Sequence, residues 1–159
     1  MDTVPVLKPL QTQSAISGIA KAYGIDPAEA APAVESLAES VAARLTRLTL
    51  SRGGIADIVG LLGDPNAQRA LSDPAAATGQ AAIDDGNQVL DVLIGDKHVS
   101  RGIAQRAASQ SGIDVEIAKK LLPVVASMVI GSMQKTAEPQ EFLRPSLQFA
   151  VLRFFACRR

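Results

Sequence analysis

"QSGIDVEIAKKLLP", Gln110 to Pro123, has the form of the turn and second helix of a DNA-reading helix-turn-helix, and "AYGIDPAEAAPAVESLA", Ala22 to Ala38, carries the same phrase 88 residues earlier. The local grammar is clearest in the earlier copy. Ile16, Ile19, Ala20 and Tyr23 fall at i, i+3, i+4 and i+7, one face of a helix. Gly24 suits the left-handed residue just past a helix end, and Ile25 can cover that end. Asp26 can cap the next helix, Pro27 fits its first position, and Glu29 stands where a capping box would place it. The following helix is predicted from Pro27 to about Leu48, with Val34, Leu37, Ala38, Val41, Ala42, Leu45 and Leu48 facing inward.

The later copy argues against reading DNA. Ala108, Gly112, Ile113 and Ala118 fit the spacing that sets two helices at a sharp angle, but a recognition helix must then meet bases and phosphates with its early residues. Those residues are Asp114, Val115 and Glu116, and two carboxylates there oppose the phosphate backbone. The continuation, "LLPVVASMVIGSM", is apolar on nearly every face, as in a helix buried in a core. Pro123 is expected to kink or break it. The first copy, with Asp26, Glu29 and Glu35, suits DNA still less. Both stretches read as core helical hairpins.

Working outward, the two halves rewrite one another. "GNQVLDVLIGDKH" parallels "GGIADIVGLLGDP", with Leu93, Ile94, Gly95 and Asp96 matching Leu61, Leu62, Gly63 and Asp64. "RGIAQRAASQSGID" parallels "SGIAKAYGID" with four extra residues, and "VEIAKKLLPVVASMV" parallels "PAEAAPAVESLAESV". The expected fold is all-α: a compact helical bundle built from a duplicated helix-turn-helix hairpin about a pseudo-two-fold axis, because neither half can bury its apolar faces alone. Residues 1–137 form one domain, with repeats over about 13–63 and 86–135. Ile55, Ile58, Val59 and Leu62 describe a short amphipathic helix, and the Asp-, Pro-, Ala-, Gly- and Gln-rich segment 64–85 reads as a connector with a helical turn near Ala67 to Leu71. Residues 138–159 form an apolar and basic tail.

Composition agrees with helices. Nearly half the residues are apolar, yet only five are aromatic and none is Trp, so Ala, Val, Leu and Ile must fill the core. A single Cys excludes an internal disulfide and fits a reducing, cytoplasmic compartment. The opening "MDTVPVLKPL" has no cleavable signal pattern, and the longest uncharged apolar run, Leu121 to Gln134, is shorter than the about 20 residues of a membrane span. Net charge is zero but divided: residues 1–95 carry −5 and residues 96–159 carry +5. Such a dipolar chain can self-associate or meet an anionic partner, while solvated helix faces remain the simpler reading.

The second half, Gly86 to Lys135, resembles the YidB-like family of bacterial proteins of unknown function. Gly95 after a short apolar helix, the Ser111-Gly112-Ile113 turn and the helix from Leu121-Leu122-Pro123 to Gly131 carry the resemblance, which extends more weakly back to Gln13. It implies an all-α bacterial domain with no established activity and no site residues to carry over. The ending "FLRPSLQFAVLRFFACRR" departs from the Gln/Gly-rich tail such proteins would be expected to have.

Motifs of chemistry are sparse. One His and one distant Cys make no zinc site, the carboxylates lack calcium-loop spacing, and neither a phosphate loop nor a nucleophile context is present, so no catalytic residue, metal or cofactor is expected. The one polar cluster, Asp96, Lys97 and His98 with Arg101, is either an anion or acidic-partner site or simply a solvated helix start. In the tail, Phe149, Leu152, Arg153, Phe154 and Phe155 read as an interface with the domain or another subunit, as a basic anchor on anionic lipid, or as an incidental extension. The function expected is a non-enzymatic protein-interaction or scaffold module whose partner is a protein or a second copy. The alternative is binding of nucleic acid or an anionic membrane surface through Lys97, Arg101, Arg106, Lys119 and Lys120.

Overall fold

The computed structural model describes residues 8–73 and 78–137. These form a 3-10 turn, Lys8–Gln11, and seven α-helices without a strand: α1 (Gln13–Tyr23), α2 (Pro27–Thr49), α3 (Gly54–Leu62), α4 (Pro65–Ser72), α5 (Gln80–Leu93), α6 (Lys97–Ser111) and α7 (Val115–Ala137). The interface residues expected at 149–155 lie outside the described residues.

Aspartate sets four of the seven described helix starts. Asp26, Asp64, Asp96 and Asp114 each accept the backbone N–H two residues on, at 2.8, 2.9, 2.7 and 2.6 Å. Asp26 therefore takes the Ala28 N–H rather than that of Glu29. Left-handed glycines close the preceding helices of both hairpins, Gly24 at φ 66° and Gly112 at φ 81°. The GID turn is thus the same in both hairpins, but their surroundings differ. α6 lies along α2, whereas α1 makes no comparable contact with α7.

Helix α7 is the centre of the bundle, touched by α2, α3, α4, α5, α6 and the 3-10 turn. Its residues 121–132 are buried without interruption, which is why the sequence there is apolar on every face. It runs through Pro123 without a break. A proline frees a backbone carbonyl one turn earlier; close to it, the Tyr23 hydroxyl donates to the Lys120 carbonyl at 3.2 Å. Burial raises the Tyr23 pKa. Tyr23 is the only tyrosine, so tyrosinate absorbance reports it alone and is expected to develop above the ordinary phenol range. The folded state then holds this proton more tightly, giving stability that is present below the unfolded pKa, about 10, and lost as pH rises through the folded one. Titration at or below the unfolded reference would contradict this placement.

Two expectations are refined. The helical turn expected near Ala67 to Leu71 within segment 64–85 belongs to the longer helix α4, and the segment also contains the first turn and a half of α5. α4 buries only Ala67 and Ala70, and it lies close enough to α7 that a Cβ at Gly131 would strike the Ala67 carbonyl oxygen. Small side chains make that approach possible, and they leave no large apolar stripe in the sequence. In α3, Ile58 and Leu61 are buried while Ile55 and Val59 face outward. Gln134 of α7 fixes the end of α3 by donating to the carbonyls of Leu62 and Asp64 at 2.9 and 2.7 Å.

Candidate functional site

Helix α6 turns Ile103, Ala104, Ala107 and Ala108 into the core and leaves its cations outside. A groove of about 360 Å³ runs beside its start, between α5, α6 and α7. Lys97, Arg101 and Lys119 line it with Asn87, Asp91 and Ser100, over Leu90 and Leu122. The cluster expected from the sequence is therefore divided. Lys97 and Arg101 enter the groove, Asp96 caps α6 through its carboxylate, and exposed His98 gives its backbone N–H to that cap without lining the groove. Lys119 is held by Glu116 at 2.6 Å, an exposed pair of the kind worth at most about 1 kcal/mol.

A second groove, of about 310 Å³, lies on the other side of α6, against α2. Ser40, Ala43, Arg44 and Arg47 face Val99, Gly102, Ile103 and Arg106 across it. Each set falls at i, i+3, i+4 and i+7, so the groove is the seam between two helix stripes. The Ser36 hydroxyl donates to Gln110 Oε1 at 2.6 Å further along the same seam. Arg44 and Arg47 had no place in the sequence reading. Their spacing was visible, but only the packing of α2 on α6 brings them to Arg106.

A third cavity, about 510 Å³, lies between α4 and α5 with buried Ser127 in its wall. Among the described residues, no group of three or more His, Cys, Asp or Glu is placed to hold a metal ion. No described helix is long and apolar enough to cross a membrane.

Besides these grooves there is an apolar corner. Leu50, at the end of α2, is 84% exposed, and Ile55 and Val59, one turn apart on α3, are 66% and 63% exposed. α3 is therefore apolar on two faces, only one of which is covered.

The family of bacterial proteins of unknown function (DUF937) matches residues 6–136, and the chain belongs to it. No curated protein and no solved structure matches.

Proposed function

We propose that this DUF937 member is a non-catalytic module for protein association, in which the corner formed by α2 and α3 takes the apolar C-terminal segment of a second copy. The observation that carries this reading is the exposure of Leu50, Ile55 and Val59. Exposed apolar side chains that cluster mark an interaction surface, whereas single scattered ones need no explanation. The matching sequence in α5 sharpens the point. In the register that pairs Leu61 with Leu93, buried Ile58 corresponds to buried Leu90, whereas exposed Ile55 and Val59 correspond to exposed Asn87 and Asp91. The same outward face is polar in one helix and apolar in the other.

The size of the patch supports a segment as partner rather than a broad domain face. Three such side chains can bury on the order of 300 Å², well short of the about 800 Å² per partner of a standard interface. Phe149, Leu152, Phe154 and Phe155 supply aromatic and aliphatic anchors of the right kind. Arg153 among them complements the exposed Asp57 of α3, and the basic half of the chain complements the acidic one. Within DUF937, Gly95, the Ser111–Ile113 turn and the α7 core support the narrower YidB-like resemblance, and the lone cysteine suits a cytoplasmic setting.

Replacing both Ile55 and Val59 with Ser in the full chain should weaken self-association on the order of 100-fold, measured by sedimentation equilibrium, with urea unfolding nearly unchanged because both side chains are already in water. A full chain that stays monomeric at high concentration, or a double variant that associates as before, sinks this reading. A basic face for nucleic acid or membrane has less support, since Lys97, Arg101 and Lys119 lie in one groove, Arg106 in the other, and Lys120 lines neither.

A further inference from the structure

We propose that the groove between α2 and α6 is a binding site for a phosphate ester, separate from the association surface. Three guanidinium groups, Arg44, Arg47 and Arg106, border about 310 Å³, and no carboxylate lines it with them. None of the three makes an ion pair or side-chain hydrogen bond among the described residues. Three guanidinium groups that border one groove without a carboxylate partner are available to an anion, and guanidinium forks match phosphate oxygens two at a time. The neighbouring groove is different, because Asp91 lines it and Glu116 occupies Lys119.

The remaining wall says what else the ligand carries. Ala43, Val99 and Ile103 offer an apolar surface beside the arginines, and Gly102 leaves open space above it. Inorganic phosphate would leave that surface uncovered. An ester with an apolar or ring-bearing group would cover it, either as a free metabolite-sized molecule or as the headgroup region of a phospholipid.

Phenyl phosphate and inorganic phosphate are the probes for a titration by calorimetry on the full chain at fixed ionic strength. Phenyl phosphate should bind at least several-fold more tightly than phosphate. Arg44→Gln with Arg47→Gln should weaken it on the order of tenfold or more, since each removes a charge-assisted contact. Gly102→Glu keeps the proposal testable if those variants unfold. The new side chain meets no atom within 4 Å at its Cβ and improves helix propensity, yet places a carboxylate in the groove, so the variant should be folded and fail to bind.

Vesicles of equal parts phosphatidylglycerol and phosphatidylcholine separate the two sources. Vesicle binding lost in Gly102→Glu identifies a headgroup, and phenyl phosphate binding without vesicle binding identifies a free ester. The proposal is overturned if phenyl phosphate does not bind, if Gly102→Glu binds it normally, or if Lys97→Gln with Lys119→Gln abolishes binding while the arginine variants leave it intact.

Discussion

Gly131→Ala and Gly86→Ala are each expected to destabilise the protein by about 2 kcal/mol or more, against a helix preference that favours alanine by about 1 kcal/mol. Both glycines mark places where a helix touches the backbone of another. A Cβ at Gly131 would meet the Ala67 carbonyl oxygen of α4, with the carbonyl carbon at 2.9 Å. One at Gly86 would meet the Pro123 carbonyl oxygen of α7, with its carbon at 2.6 Å and its Cβ at 2.8 Å. Backbone cannot rotate away as a long side chain can, so relief requires α4 or α5 to move off the central helix. Gly60→Ala and Gly102→Ala are the controls. Neither Cβ would meet anything within 4 Å, and both should raise stability by up to about 1 kcal/mol. Urea unfolding with unchanged m-values reads all four variants. Opposite signs for the two pairs are the expected result, and a gain for Gly131→Ala would mean that α4 does not lie on α7 as described.

That contrast also shows what the sequence could reveal. The hairpins were legible because each signal has a local cause: Gly24 and Gly112 adopt left-handed conformations, and Asp26 and Asp114 cap the next helix within two residues. The burial of α7 was legible for the same reason, since a run apolar on every face has few other places to go. Only a turn of α4 was legible, near Ala67 to Leu71, because its packing depends on Ala67 and Ala70 against Gly131, residues too small to register as a hydrophobic stripe. The facing of α3 was missed because Ile55, Ile58, Val59, Leu61 and Leu62 allow two inward faces, and only tertiary packing chooses Ile58 and Leu61. The candidate sites were hidden by arithmetic. Counting charge by halves made residues 1–95 acidic and concealed Arg44 and Arg47, which α2 carries to the basic helix α6.

A carboxylate at Val124 should cost at least about 3 kcal/mol and leave little folded protein, whereas one at Ser36 should cost about 1 kcal/mol, the order of the hydrogen bond to Gln110 that it gives up. These two positions are equivalent in the 88-residue register that aligns α2 with α7. Along both helices the inward seam is the same: Val34, Leu37, Ala38 and Val41 are buried, and so are Leu122, Val125, Ala126 and Val129. The opposite faces diverge. α2 shows Glu35 and Glu39 to solvent, while α7 is enclosed, with Val124 1% and Met128 0% exposed. Val124→Glu therefore buries a charge among apolar side chains with no partner, whereas Ser36→Glu gives up one hydrogen bond to Gln110 at a half-exposed position where the new carboxylate can reach water. The sign with pH follows. Desolvation raises the pKa of the buried carboxyl above its unfolded value near 4.3, so its ionisation penalty grows as pH rises above that value and shrinks toward acid. Helicity by circular dichroism, compared between the two variants at neutral and mildly acidic pH, measures both effects. Equal tolerance at the two positions would contradict the central place of α7, because helices of similar sequence would then stand in similar surroundings.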